Sequence, residues 1–184
     1  MGAMLQEFLA IAVLALVLLM VVVLLLTILA HLRTATPYGG TPQAVGMAMV
    51  HLARLEDGQR VCDIGAGDGR LLIAAKRACS KIQAVGFENA LGVWLVGKLR
   101  ILWSGQKVRL LLRDARKFNF SRADAVFLYV GPEMMRSLLP KFDRELKKGA
   151  RVVSHSFRFP GRKPVKVEEV STGKKVKKVY LYRW

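Results

Sequence analysis

Charge is missing where the chain begins, and acid is scarce everywhere after that. Residues 1–32 hold one charged side chain, Glu7, so all 30 basic residues and all but one of the 13 acidic residues fall later, and the formal net charge is +17. No Lys or Arg precedes the apolar run at 8–30, which lacks the basic start, short core and small-residue cleavage site of a secretory signal. A lipid-acceptor pattern needs Ser or Thr at position 6, where Gln6 stands. Cysteine is limited to Cys62 and Cys79, 17 positions apart and with no C-x-x-C, which leaves two buried thiols in a reducing compartment. His31, His51 and His155 are isolated from one another and from cysteine, so no metal site is expected.

The uncharged run is itself the first positive signal. Its 23 residues, broken only by Thr27, reach roughly 35 Å as a helix, enough to cross a hydrocarbon layer of about 30 Å. This predicts a transmembrane anchor over 1–32. The basic excess behind it predicts that the following domain faces the cytoplasm, or the matrix of a mitochondrion. Residues 33–42, with Pro37, Tyr38, Gly39, Gly40, Thr41 and Pro42, form a turn-rich linker. There Thr41 suits an N-cap and Pro42 the first helical position. The segment is either linker and cap alone or a flap folded over a ligand. Residues 43–184 are then left for one domain.

The stretch at 61–70, Val-Cys-Asp-Ile-Gly-Ala-Gly-Asp-Gly-Arg, reads as a buried strand, a turn and the start of a helix. Gly65, Gly67 and Gly69 strip the turn of side chains, so a ligand can approach the main-chain N–H groups. A dinucleotide fingerprint needs its third glycine one place later, and Arg70 stands there. Asp63, two residues before the first glycine, would repel a pyrophosphate and attract a cationic amino-acid ligand.

After this turn, strand and helix patterns alternate. Strands are expected at 60–64, 82–87, 108–112, 125–130 and 151–154, and helices at 69–79, 91–103 and 133–147. Such alternation implies a parallel sheet with helices on both faces. Two β-rich runs at 165–170 and 176–184, separated by Ser171 to Lys175, read as a terminal hairpin.

In such a sheet ligands lie beyond the carboxyl ends of the strands. The second strand ends at Glu88 and Asn89, where an acid can accept both hydroxyls of a ribose. The third ends at Asp114 and Ala115, where a carboxylate suits an exocyclic adenine amine and equally suits a helix cap. The fourth ends at Tyr129 to Pro132, and Tyr129 is either core packing or the wall of an acceptor channel. His155 closes the fifth strand, as a proton acceptor or as a structural residue.

With its acid included, D-x-G-x-G-x-G resembles the first motif of class I S-adenosylmethionine-dependent methyltransferases. The ordered set of an N-terminal apolar helix, Pro-Tyr-Gly-Gly-Thr-Pro, D-x-G-x-G-D-G-R, V-G-F-E-N, Trp94 to Val96 and V-F-L-Y-V-G-P resembles the membrane-anchored protein-lysine methyltransferases. Mitochondrial members of that family modify the ATP synthase c subunit and the adenine nucleotide translocase. The resemblance covers most of 37–160. It implies an α/β, Rossmann-like class I methyltransferase sheet, mostly parallel with a C-terminal antiparallel hairpin, and S-adenosyl-L-methionine as cofactor, converted to S-adenosyl-L-homocysteine. Asp63, Gly65, Ala66, Gly67, Asp68, Glu88, Asn89, Asp114 and Ala115 would then contact the cofactor. Tyr38, Thr41 and Tyr129 would contact it as well, Thr41 and Pro42 would belong to the segment covering the site, and Thr41, Tyr129 and Pro132 would form the substrate channel without a dedicated base. Tyr-Val-Gly-Pro departs from the N-P-P-Y tetrapeptide of amide-nitrogen methyltransferases, which argues against glutamine, asparagine or DNA-base acceptors.

The expected acceptor is a lysine of a membrane protein. The alternatives are a lipid or small lipophilic acceptor and a non-catalytic cofactor-binding membrane module. The basic C-terminal residues Arg162, Lys163, Lys166, Lys174, Lys175, Lys177, Lys178 and Arg183 suit an anionic leaflet better than nucleic acid.

Overall fold

The computed structural model describes residues 2–34, 40–173 and 175–184. Seven strands form one sheet in the order β3-β2-β1-β4-β5-β7-β6. They are β1 Arg60–Ile64, β2 Gln83–Glu88, β3 Val108–Leu112, β4 Ala125–Leu128, β5 Arg151–His155, β6 Lys166–Thr172 and β7 Lys175–Arg183. The first five pair in parallel, and β7 is antiparallel to both β5 and β6. The expected alternation and terminal hairpin are both present. β4 stops at Leu128, two residues early, because Gly131 already caps the next helix, α5 Pro132–Glu145.

Strands buried on both faces sort their residues by the period of two. Cys62, Ile64, Val126, Leu128 and Val152 pack with Met135, Leu138 and Phe142 of α5. Val61, Ala125, Phe127 and Val153 face the opposite core with α2 Gln43–Ala53, α3 Arg70–Ala78 and Ile101 of α4 Leu91–Ser104. Three helices therefore cover one face of the sheet and α5 covers the other.

Before the sheet, α1 spans Gly2–Thr34 and packs against α4. Its segment Met4–Leu26 is long and apolar enough to cross a membrane by length and composition. The helix continues through Arg33 and Thr34, which the sequence assigned to the linker. A second correction concerns the start of α2. The carbonyl of Pro42 accepts from the Gly46 N–H at 2.9 Å, and Pro42 has extended backbone angles, so Pro42 is the cap residue and no side chain caps this end. Thr41 therefore lies one position outside the cap. A third concerns Cys79, which is only half-buried and donates to Asp57 Oδ1 at 3.4 Å, whereas Cys62 is fully buried.

Candidate active site

The parallel strands end at one edge, where β2 and β4 flank β1 and the strand order reverses. Register brings Asp63 beside Gly86, Glu88 beside Leu112, and Leu128 beside both Ile64 and Ser154. Asp63, Glu88, Asp114, Tyr129 and His155 thus share the edge at which open α/β sheets hold ligands.

The glycine turn takes the shape that its composition dictates. Gly65, Gly67 and Gly69 have φ of 72°, 57° and 75°, a left-handed region costly for other residues. Their N–H groups are not left for a ligand, contrary to expectation. Gly65 and Ala66 both donate to the Phe87 carbonyl at 3.0 and 2.9 Å, and Gly67 donates to Glu88 Oε2 at 3.0 Å. A turn whose donors are spent inside the protein is a poor anion cradle. That agrees with the absence of a dinucleotide spacing.

What the site offers is acid. Asp63 is 4% exposed, and its carboxyl has no hydrogen bond among the described residues. Burial, then the charges of Glu88 and Asp68, push its pKa up to about 8. A buried carboxyl without a partner fits a ligand that brings a cationic donor, such as the ammonium of an amino acid. Glu88 is half-buried and accepts from three main-chain donors, Gly67, Asn89 and Ala90, at 3.0, 2.8 and 2.9 Å. A carboxylate has about four acceptor positions, so it is fixed in place with capacity left for a ribose hydroxyl.

The other predicted acids are engaged differently. Asp68 bonds Arg70 through both oxygens, at 2.7 Å to Nη2, and pairs with Arg100 at 3.2 Å, joining the start of α3 to α4. Burial opposes its charge, yet the Arg70 bonds and the nearby guanidinium charges hold its pKa below the usual carboxylate range. Asp114 caps the short 3-10 turn Ala115–Lys117, accepting from the Arg116 N–H at 2.9 Å and pairing with its guanidinium at 2.7 Å. Both readings offered by its sequence, cap and ligand acid, remain compatible with this placement. Asn89 and Pro132 are exposed, Ala66 and Ala115 buried and Thr41 half-buried; Tyr38 lies outside the described residues.

At the β4 end, the Tyr129 ring lies against His155, centroids 4.0 Å apart, and stacks with Phe157 at 6.3 Å. His155 is fully buried and neither ring nitrogen has a hydrogen-bond partner among the described residues. Burial, with a smaller contribution from Lys177, pushes its pKa down to about 4, so it is neutral at physiological pH. Ser156 follows with φ of 66°, and its N–H donates to the Lys178 carbonyl at 2.8 Å, which fixes the bend presenting His155 and Phe157 to Tyr129.

Three positioning features escaped the sequence reading. Gly97 lets α4 cross the glycine turn: a Cβ there would lie 2.6 Å from Leu110 Cδ2 and 3.0 Å from the Gly67 carbonyl oxygen. Gly86 similarly admits Ala66, whose Cβ would lie 2.8 Å from an added Cβ. The Asp68–Arg100 pair is the third. A glycine inside an apolar run was the only available signal for the first. Gly40 lies against the Arg70 guanidinium, which brings residues 40–42 beside the turn.

Comparison with known proteins places these features in a family. Residues 63–166 match the ANTKMT methyltransferase domain. A protein-lysine N-methyltransferase of Saccharolobus islandicus is 33% identical over 148 residues, covering 79% of this chain and 92% of that protein. A lysine N-methyltransferase for the ATP synthase c subunit, from Xenopus laevis, is 40% identical over 108 residues, and an adenine nucleotide translocase lysine N-methyltransferase of Mus musculus is 34% identical over 140 residues. The chain covers 46% and 59% of those two vertebrate proteins. Among solved structures, an RNA methyltransferase from Salinibacter ruber in complex with S-adenosyl-L-homocysteine superposes with a TM-score of 0.73 at 26% identity, covering 79% of this chain and 93% of that one. TrmN from Thermus thermophilus shares the fold at 20% identity, with a TM-score of 0.67 over 85% of this chain and 53% of that one.

Proposed function

The chain belongs to the family of the ANTKMT methyltransferase domain, and from that premise we propose that this S-adenosylmethionine-dependent N-methyltransferase is held in a membrane by α1 and methylates lysine side chains of a membrane protein. The activity class and the cofactor follow from the family. The lysine acceptor is supported by the names of the archaeal and vertebrate relatives, and the membrane by the apolar length of α1.

The observation that carries the reading is the orphaned acid. Asp63 offers a buried carboxylate to the ammonium of the cofactor's amino-acid end, at the edge where the family's motif begins. Glu88 takes a ribose hydroxyl, and Asp114 with Ala115 takes the adenine. Asp68 is left to hold α3 to α4 through Arg70 and Arg100. Residues 40–42, lying along Arg70, form the cover of the site.

When bound, S-adenosylmethionine would supply a sulfonium methyl carbon to which a neutral amine bonds as the carbon–sulfur bond breaks and S-adenosylhomocysteine leaves. The protein's work is alignment and exclusion of water. Tyr129 and Phe157, backed by the buried His155 that is neutral at physiological pH, form an aromatic wall against which the acceptor Nζ sheds its hydration. Desolvation lowers a lysine pKa from about 10.4, so the proton leaves to solvent without a dedicated base. The catalytic domain faces the cytoplasm or matrix in this reading, with basic residues toward the anionic leaflet.

The test is to incubate native membranes with the purified full chain and methyl-labelled cofactor. Label on protein, mapped to lysine by mass spectrometry, is the expected result. Label that runs with lipid would overturn the acceptor class, and cofactor binding without any label transfer would make the chain a binding module.

A further inference from the structure

A helix that is apolar on every side belongs inside something. α4 comes close to that character, its charged residues being Lys98 and Arg100 alone. Val93, Gly97 and Ile101 face the sheet and the glycine turn, while Leu95, Val96, Leu99, Leu102 and Trp103 on its other side are 40–81% exposed. Outside α1, ten large apolar side chains are exposed among the described residues, and half of them are these five. Such concentration on one helix marks an interaction surface, whereas scattered apolar residues do not.

The surroundings say what covers it. α1 packs against α4, and these five residues stay exposed with α1 in place. The helix that carries the exposed strip is thus the one that meets α1, which is long enough to cross a bilayer. α4 carries no acid; its charged residues are Lys98 and Arg100, both exposed. Beside it runs a groove of about 1050 Å³ between α2, α3 and α4, where Met47, Val96, Leu99 and Trp103 are joined by Arg77 and by Arg100, half-exposed beside its Asp68 partner. None of the strand-end acids lines this groove, which reaches the cover of the site at Thr41, Pro42 and Arg70. Apolar ridge, outermost tryptophan and flanking cations are what the headgroup and upper acyl layer select.

Of the eight basic C-terminal residues that the sequence favoured as the lipid-facing part, three are held in ion pairs. Lys178 pairs with Glu169 at 2.9 Å and Lys166 with Glu168 at 3.7 Å; Arg162 pairs with Asp143 at 2.6 Å and lies over the Trp184 ring at 3.9 Å.

We propose that the outward face of α4, formed by Leu95, Val96, Leu99, Leu102 and Trp103, lies in the interface of the bilayer that α1 crosses, and docks the catalytic domain face-down on anionic lipid. The proposal rests on the reading that α1 spans a membrane. Docking by α4 holds the glycine turn, which α4 crosses at Gly97, at a fixed height above the lipid. The acceptor lysine is then one that emerges near the headgroups.

The test uses the full chain in anionic vesicles whose lipids carry bromine at a shallow or a deep acyl position. Trp103 is the reporter, and Trp103→Phe is the subtraction control for Trp94 and Trp184. The expected result is strong quenching by shallow bromine in the parent, reduced at least threefold in Trp103→Phe, with both proteins floating with the vesicles. Equal quenching in the two floating proteins overturns the α4 proposal and leaves the anchor intact. Failure of the parent to float overturns the anchor reading itself. A second arm uses Leu99→Glu with Leu102→Glu, which alters exposed positions only. Retained thermal stabilisation by S-adenosylhomocysteine, at least a tenfold loss on bilayer-embedded acceptor and little change on acceptor in detergent support lipid docking. An equal loss in detergent means that α4 seats the acceptor protein, and the proposal falls.

Discussion

Asp63 is the residue whose chemistry can be followed most directly. Its folded pKa of about 8 lies above its ordinary 3.8, so between those values the folded protein binds more protons than the unfolded chain. Its contribution to stability is therefore present at low pH and is lost as pH rises through that window. In the proposed site a cofactor ammonium selects the charged carboxylate, so binding below pH 8 would expel the proton. Affinity for S-adenosylhomocysteine should rise up to about tenfold per pH unit from pH 6, and level off above 8. Titration calorimetry in two buffers of different ionisation enthalpy would register proton release approaching one. Asp63→Asn should flatten the profile and cost about 10–100-fold in affinity at pH 8, the loss expected for one hydrogen bond to a charged group. A flat profile in the parent would remove Asp63 from the ammonium site. Glu88→Ala strips an acceptor from Gly67, Asn89 and Ala90 at once. It should lower stability by about 1–3 kcal/mol in addition to weakening the ligand, and unchanged melting with full affinity would show that the carboxylate positions nothing. His155 carries the opposite sign. Its folded pKa of about 4 lies below its ordinary 6.5, so stability is lost as pH falls between these values. His155→Phe should remove that part of the acid sensitivity, read as a smaller drop in Tm from pH 7 to pH 5.

At the scale of elements, the close crossing of α4 over the glycine turn is the most constrained contact. Leu110 can rotate away from an added methyl, but the Gly67 carbonyl belongs to the turn itself. Gly97→Ala should cost about 1–3 kcal/mol as an overpacked contact, at about 2–4 °C of Tm for each kcal/mol. Affinity for S-adenosylhomocysteine should fall with it, and Leu110→Ala in the same chain should recover only part. A Tm within 1 °C of the parent, at about that scale, would mean that α4 sits farther from the turn. The same contact shows where the sequence was readable. Alternating apolar periodicity with glycine punctuation located all five parallel strands, and the hairpin was visible because Val165 to Trp184 breaks the helical alternation. Pairings between distant elements left no such trace. Nothing local announces that Gly97 faces Gly67, that Arg100 reaches Asp68, or that the Phe87 carbonyl consumes the donors of Gly65 and Ala66. The acids at the strand ends were legible by position, while the sharing of Asp114 with Arg116 was a choice between two bonding patterns that residue type leaves open.

For the whole molecule, the question is whether α1 is a tether or part of the machine. Packing runs without interruption from α1 to α4, and from Gly97 of α4 to the turn that leads into α3. A tether would need only length and apolarity, and any segment of about 20 apolar residues would serve. In the proposed reading, a helix seated on α4 also fixes the tilt of the domain against the bilayer, and with it which lysines can approach Tyr129. Replacing residues 2–30 with an unrelated transmembrane segment of equal length separates these roles. Affinity for S-adenosylhomocysteine should stay within about twofold, because the strand-end acids are untouched, a difference of under about 0.5 kcal/mol. Methylation of the native membrane acceptor should fall about tenfold, the equivalent of about 1.4 kcal/mol in the transition state, while a soluble lysine peptide reacts at its former rate. Equal loss on both acceptors would mean that the graft has damaged the catalytic domain through α4. Full retention on the membrane acceptor would reduce α1 to an anchor, and selection of the acceptor would then rest with the domain's own surfaces.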